Sequence, residues 1–305
     1  MKRNNTPMLK MKGSDGKKVK HNWFDIVNYI VLGAFALLAL YPMVYVVVVS
    51  FNEGLDYVKG GIYLWPREFT FDNYALVLRD DRLWTAYGIT IARTVLGTVL
   101  AILFTAMVGY AMSRVNLKGR GIMYKIFIFT LFFSGGTIPY FLVIITLGLF
   151  DNFLVYIIPG MFSVYNMLVF STFFKSIPNE IHESARMDGA SEFRIFFSII
   201  LPLSMPVIST VGLWVAVGHW NSFYDTMLYT SSERLWSLQY YLMKVIKESS
   251  IPTNIAGLPA EILDRVSPET VSFAAIVISV IPILLIYPLI FKLLTKGVII
   301  GSLKG

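Results

Sequence analysis

Few residues of this chain have side chains suited to bond-making chemistry, and they do not form a catalytic set. The 305 residues include no cysteine and three histidines, His21, His182 and His219. Their separation leaves no cluster with metal-ligand spacing, and no nucleophile–base pair is evident. We therefore expect a protein that is not an enzyme, with no metal and no cofactor of its own.

The strongest local signal is a polar segment, 175–198, lying between two apolar runs. Pro178 suits the first turn of a helix, where its missing N–H costs nothing. Asp188-Gly189 predicts the end of that helix, since glycine readily takes a positive φ. Ser191 can cap a second helix. The pattern predicts a helix–turn–helix, which by itself is equally consistent with a plain elbow joining two spans.

Among the charged residues, Arg93 lies deep inside an apolar run, away from both of its ends. Such a charge is costly in lipid and must face protein or water. It is therefore either a structural partner for an acid or carbonyl of a neighbouring chain, or a contact for substrate hydroxyls or a uronate carboxylate.

Polar and aromatic side chains collect at the end of the fifth apolar run and beside a break in the third. They are Trp214, Trp220 and Asn221 in the fifth run, Tyr224 just after it, and Asn166 in the fourth, while Gly135, Gly136 and Pro139 form the break in the third. They form either an aromatic belt at the membrane interface or a wall that stacks on sugar rings. We expect Arg93, Asn166, Trp220, Asn221 and Tyr224 to line a substrate route, and His219 to be a wedged neutral side chain.

The composition explains where these residues must sit. Hydrophobic residues make up 56% and charged residues 15%, against roughly 45–50% and 25% in soluble domains. Six apolar runs are long enough to cross a ~30 Å hydrocarbon core. They are Ile26–Phe51, Trp84–Met112, Met123–Thr146, Phe153–Phe174, Ile199–Ser222 and Thr270–Leu294. The sequence predicts an all-α integral membrane protein with six transmembrane helices.

The net charge of +7 follows the same plan. Lysine and arginine concentrate in residues 1–23, 113–125, 175–198 and 292–305, which places both termini in the cytoplasm by the positive-inside rule. This distribution argues against nucleic-acid binding. We divide the chain into a basic tail over 1–23, a first span with an outer loop over 24–83, and a five-helix core over 84–305.

The residues Glu183-Ser-Ala-Arg-Met-Asp-Gly-Ala190, followed by Phe193 and Leu201-Pro202, resemble the EAA loop of binding-protein-dependent ABC importers. Only the first alanine is replaced, by Ser184. Three further segments, Ser134–Tyr140, Ser163–Asn166 and Gly218–Asp225, resemble carbohydrate-uptake permeases of the MalG type with a MetI-like transmembrane domain. More narrowly, they are similar to the LplC/YtcP branch, and the closing residues 296–305 resemble its tail.

The resemblance implies that the first loop helix docks on a cytoplasmic ATPase. The implied contact residues are Glu183, Ala185, Met187, Asp188, Gly189 and Ala190. It implies as partners a second homologous permease, two ATPase subunits that carry ATP and Mg²⁺, an extracytoplasmic solute-binding protein that meets the loop 223–269, and an oligosaccharide. Residues 297–305 should leave the membrane and touch the ATPases.

The implied location is the bacterial cell membrane. Two other functions stay open: an ABC permease for a non-sugar solute, and a carrier driven by an ion gradient. The second is disfavoured because the six runs hold no acid.

Overall fold

The computed structural model describes residues 23–248 and 265–302. The basic arm predicted over 1–23 lies, apart from Trp23, outside this part of the chain. Residues 249–264 of the predicted outer loop 223–269 also lie outside it. By their contacts, the residues divide into two units, Met1–Tyr45 and Val46–Gly305. The predicted boundary at residues 83 and 84 does not coincide with this division and stays a prediction.

The described residues form helices and turns without a strand, and a single β-bridge joins Asn52 to Phe69. The helices are α1 (Trp23–Ser50), α2 (Gly54–Val58), α3 (Asp72–Leu78), α4 (Asp81–Ser113), α5 (Arg120–Phe132), α6 (Thr137–Thr146), α7 (Val164–Lys175), α8 (Asn179–Met187), α9 (Glu192–Ile195), α10 (Leu201–Leu203), α11 (Met205–Asn221), α12 (Tyr224–Tyr229), α13 (Leu238–Glu248) and α14 (Pro268–Ser302). Three short 3₁₀ segments, Phe153–Tyr156, Ile158–Gly160 and Glu233–Leu235, and one π-helical turn, Phe196–Ile200, link them.

Three of the six predicted spans are straight helices: α1, α4 and α14. The other three predicted spans are each interrupted, and only the interruption in the third was predicted. Each consists of two helical segments with one bend between them. The bend is 115° between α5 and α6, 47° at residues 161–163 and 83° at Ser204. By length and composition, the described chain therefore holds three helices able to cross a membrane, or six if each bent pair counts as one span.

The bends follow from local chemistry. The predicted break in the third run is confirmed, because residues 133–136 are non-helical and Gly136 has a φ of +86°. The break at Ser204 lies between Pro202 and Pro206, which cannot donate backbone hydrogen bonds. The buried Ser204 hydroxyl donates to the carbonyl of Ile200 at 2.7 Å, so a polar group at this bend finds a partner.

Two buried clusters sit at opposite ends of α4. The first joins the start of α4 to α3, α13 and the start of α14, and includes Leu76, Leu83, Tyr241 and Ala274. The second joins the end of α4 to α7, α8, α9 and the start of α11, and includes Tyr110, Phe170, Ala185 and Ile195. Because α4 has 33 residues, its ends are roughly 50 Å apart at ~1.5 Å per residue.

The last helix is longer than predicted. The sixth span was expected to end near Leu294 and a tail to leave the membrane from Gly297, but α14 continues to Ser302. The apolar sequence through Ile300 contains no proline after Pro288 and sustains the helix. Residues 303–305 lie outside the described part.

Candidate functional site

The segment 175–198 forms the predicted helix–turn–helix, here called the elbow. Helix α8 begins after Pro178 and ends at Met187, and Gly189 follows with a φ of +78°. The Gly189 N–H donates to the Arg186 carbonyl and the Ala190 N–H to the Ala185 carbonyl, both at 3.0 Å. This pairing is the Schellman motif, which closes the helix end with a left-handed glycine. The predicted stop at Gly189 is therefore confirmed.

The second helix of the elbow starts where it was expected to start. The Ser191 hydroxyl accepts a hydrogen bond from the Arg194 N–H at 3.4 Å and caps α9. Phe196 is buried in the second cluster, whereas Phe193 and Phe197 are exposed. The elbow is thus a well-formed unit with one side packed on the bundle.

The six predicted contact residues divide between the two sides of the elbow. Ala185 is buried against the second cluster and Ala190 is half-buried. The other four are exposed: Glu183, Met187, Asp188 and Gly189, with the Met187 side chain 87% exposed. A β-carbon added at Gly189 would meet nothing within 4 Å. The exposed tip of the elbow is therefore open to a partner surface.

A hydrogen-bonded group ties the elbow to the long helix α4. The Tyr110 hydroxyl of α4 donates to Glu192 of α9 at 2.9 Å, and the same carboxylate oxygen lies 3.0 Å from Nε2 of His182 in α8. The Arg114 guanidinium stacks over the Tyr110 ring at 4.4 Å. These side chains border a cavity of about 640 Å³ between the elbow and the end of α4. These contacts therefore connect the elbow to α4.

In the first half of α4, well inside the helix, lies the buried Arg93. Its side chain is 1% exposed and pairs with Asp225 of α12, and its guanidinium carbon lies 4.3 Å from the centre of the Tyr156 ring. The acid that pairs with Arg93 belongs to the same chain. Of the two roles expected for Arg93, the structural one had placed this acid on a neighbouring chain. A buried charge needs such a partner because its removal from water is costly.

His219 is packed as a wedge, as predicted. A β-carbon at Gly97 would lie 2.5 Å from its Nε2, and one at Gly160 would lie 3.7 Å from its Cε1. Glycine at both positions lets α4 and the Ile158–Gly160 turn approach the imidazole. Within the described residues, no group of histidines and acids could hold a metal ion.

Two adjoining cavities open beside Arg93, and together they are here called the tyrosine hollow. The first, about 380 Å³, is bordered by Arg93, Tyr156, His219, Ser222 and Asp225. The second, about 430 Å³, is bordered by residues 134–137, Pro139, Val143 and Tyr224. Tyr140 and Tyr229 border both cavities. The hollow therefore reaches from the break between α5 and α6 to the Arg93–Asp225 pair.

Of the five predicted route residues, only Arg93 and Tyr224 border this hollow. Trp220 is buried in the first cluster, so it forms neither an exposed belt nor an open wall. Asn221 is exposed at the end of α11, and Asn166 lies in the first turn of α7, bordering neither cavity.

Four residues of the hollow were not singled out: Tyr140, Tyr156, Asp225 and Tyr229. Tyr140 and Asp225 close two of the segments quoted above, Ser134–Tyr140 and Gly218–Asp225. For Tyr140 and Asp225, their place in these segments was the sequence signal that could have identified them.

A carboxylate next to the hollow fixes its rim. Asp151 accepts hydrogen bonds from the Ser232 hydroxyl and from the Ser232 and Ser231 N–H groups at 2.9 Å, and these lower its pKa to about 2. Its own N–H donates to the Tyr229 carbonyl at 2.8 Å. Because the folded-state pKa is depressed, this stabilisation is complete above pH ~4 and is lost only as the pH falls towards 2. The ionisation of Asp151 therefore stays the same across physiological pH.

The fold and these sites define a class: a helical membrane protein with an exposed elbow at the end of one long helix and a polar hollow beside the first half of the same helix. A family model described as "binding-protein-dependent transport system inner membrane component" matches residues 17–300. The chain belongs to this family. It is therefore a multi-pass membrane component of a transport system. Members of this family are not themselves catalytic enzymes.

Two relatives from Bacillus subtilis strain 168 match almost the whole chain. Protein LplC is 34% identical over 92% of this chain and 95% of its own length. The polygalacturonan/rhamnogalacturonan transport system permease protein YtcP is 35% identical over 94% of this chain and 100% of its own. A chain from the crystal structure of a bacterial ABC transporter involved in the import of the acidic polysaccharide alginate superposes with a TM-score of 0.82. It is 36% identical, and the match covers 88% of this chain and 95% of that one.

Proposed function

We propose that this chain is the membrane-spanning permease subunit of a bacterial ABC importer that brings oligosaccharides into the cytoplasm. Each bent pair counts as one crossing, giving six spans with both termini inside. The elbow then faces the cytoplasm and the tyrosine hollow lies towards the outside. The observation that carries this proposal is the exposed elbow tip, closed by a Schellman motif and tied to α4 by Tyr110 and Glu192.

The elbow is the proposed docking element for a cytoplasmic ATPase. Met187 supplies an exposed apolar side chain, and Glu183 and Asp188 supply acceptors for basic groups of the partner. Gly189 lets the partner backbone approach closely. Ala185 and Ala190 act from behind, because they pack the helix end onto the bundle. Closure of two ATPases around ATP and Mg²⁺ would then move the elbow and, through it, the bundle.

The complete transporter would comprise a second homologous permease, two ATPases and a solute-binding protein outside the cell. The relatives named for oligosaccharide and polysaccharide transport support a sugar substrate. A non-sugar solute and an ion-gradient carrier remain the competing functions. Purifying the chain from its host membrane separates an ABC importer from an ion-gradient carrier: we expect an ATPase and a second permease to co-elute. A chain that purifies alone and drives uptake without ATP would contradict the proposal.

The link between the elbow and α4 can be tested by removing one hydroxyl group. Tyr110→Phe removes the hydroxyl that donates to Glu192 but keeps the ring, which lies 5.3 Å from that of Phe196. Loss of one hydrogen bond to a charged group weakens the tie by about 1.5–3 kcal/mol. We expect sugar uptake per ATP hydrolysed to fall several-fold while ATPase activity persists, measured in proteoliposomes. Tyr63→Phe, at an exposed tyrosine far from the elbow in sequence, is the control. An unchanged ratio would show that the hydroxyl does not transmit motion.

The route of the sugar is proposed to pass Arg93, Asn166, Asn221 and Tyr224, whereas Trp220, also expected on this route, is buried in the core. Alanine at each position should lower uptake more than it lowers ATPase activity, with Tyr224→Ala the clearest case because Tyr224 borders the hollow. Trp220→Ala should instead lower thermal stability, since Trp220 is buried. Uptake by each variant is compared with Tyr63→Ala. Normal uptake by all four route variants would place the route along the partner permease.

A further inference from the structure

We propose that the tyrosine hollow is a binding subsite for one neutral sugar ring, selecting against a uronate, and this rests on the proposed function. The residues described above as bordering the hollow all belong to this chain. Each of its cavities, about 380 and 430 Å³, falls within the roughly 300–1,000 Å³ typical of small-molecule sites.

Aromatic rings give the hollow its walls. The ring centres of Tyr140 and Tyr229 lie 6.2 Å apart with a 56° tilt, and Tyr224 borders the same cavity. Tyr156 borders the inner cavity, where its hydroxyl already donates to the Leu235 carbonyl and lies 3.1 Å from the Thr226 hydroxyl. A pyranose ring presents C–H groups on its faces and hydroxyls at its edge. Tyrosines can cover such a face while their hydroxyls remain hydrogen-bonding groups.

The charges of the hollow decide which sugar it accepts. Arg93 and Asp225 neutralise each other, but their exposure differs: the Arg93 side chain is 1% exposed and that of Asp225 is 24% exposed. The charged group that a ligand can reach is thus the carboxylate. A carboxylate only accepts hydrogen bonds, so it suits sugar hydroxyls and repels a second carboxylate.

The two oxygens of Asp225 are not equally occupied. Oδ1 accepts from the Ser222 hydroxyl at 2.6 Å, from the Thr226 N–H at 3.1 Å and from Nη1 of Arg93 at 3.3 Å. Among the described residues, Oδ2 accepts a hydrogen bond from one donor, Nη2 of Arg93. Oδ2 therefore retains capacity for a hydroxyl donor. The contact expected between Arg93 and an anionic sugar is replaced here by a contact between Asp225 and a neutral one.

The test uses two probes that differ at one carbon, methyl β-galactopyranoside and methyl β-galactopyranosiduronate. Saturation-transfer NMR measures their binding to the purified permease–ATPase complex in nanodiscs, without the binding protein. For the wild-type complex we expect at least a fivefold stronger signal from the neutral glycoside. Asp225→Asn should reverse this preference, because it leaves Arg93 as the uncompensated charge. Asp81→Asn, at an exposed acid at the start of α4, should leave it unchanged.

A second variant protects the test against misfolding. Tyr229→Leu keeps both charges and should weaken the neutral signal several-fold, whereas Tyr165→Leu, an exposed tyrosine on α7, should not. Equal or stronger binding of the uronate by the wild type would overturn the proposal, as would binding insensitive to both Asp225→Asn and Tyr229→Leu. If the complex still hydrolyses ATP and transports, only this inference fails. A chain without ATPase partners would overturn the proposed function instead.

Discussion

Replacing Gly189 by tryptophan should abolish sugar uptake while the chain still inserts and folds. The backbone at this position has a φ of +78°, so a non-glycine residue costs about 1–2 kcal/mol. The side chain itself meets nothing in this chain, because a β-carbon there has no neighbour within 4 Å. Strain is therefore modest, and the main effect is a bulky ring between the elbow and the ATPase. Uptake and sugar-stimulated ATP hydrolysis in proteoliposomes measure the loss.

The chain offers a closely matched control for this experiment. Gly119, in the short turn between α4 and α5, has a φ of +76° and equally open surroundings. Gly119→Trp therefore carries the same backbone strain and the same bulk outside the elbow segment 175–198, and it should retain most of the uptake. If Gly189→Trp transports at the wild-type rate, the elbow tip is not the docking surface.

Removing the charge of Arg93 should destabilise the protein more than removing the whole ion pair. Arg93→Met leaves Asp225 without its guanidinium, and breaking a buried pair in this way costs about 3–5 kcal/mol. The effect should lie near the lower end, about 3 kcal/mol, because the Asp225 side chain is 24% exposed and keeps some hydration. Thermal unfolding of the detergent-solubilised complex measures the loss.

The double variant Arg93→Met/Asp225→Asn separates charge from packing. Because both charges are absent, it should recover most of the melting temperature that Arg93→Met loses. Equal losses in the single and the double variant would show that Arg93 acts through its packing on Tyr156 rather than through the ion pair.

Local chemistry made the elbow predictable. Pro178, Gly189 and Ser191 each act on a backbone within three residues of themselves, so their types alone fixed the start, the end and the next cap. The break at Gly135-Gly136 was predictable for the same reason. The bend at Ser204 was missed although Pro202 and Pro206 flank it, because an apolar run carries no information on how its two halves are oriented.

Contacts between distant residues could not be predicted in this way. Asp225 is 132 positions from Arg93, and nothing in the sequence around either residue names the other. Trp220 was grouped with Asn221 and Tyr224 by adjacency. Its neighbours in space, however, come from α3, α13 and α14, which draw its side chain into the core. Pairing across the bundle depends on how the helices pack, and that appears only in three dimensions.

The sharp turn between α5 and α6 has a consequence for how the subunit is made. With 13 and 10 residues, these helices rise only about 20 and 15 Å, so neither crosses a ~30 Å core alone. The four residues between them leave backbone groups that lipid cannot satisfy, and no residue of α5 is buried in this chain. This hairpin can mature only when another surface covers it. If the second permease of the proposed transporter supplies that surface, a copy synthesised without it would leave this turn uncovered and exposed to the proteases that clear orphan subunits from the membrane.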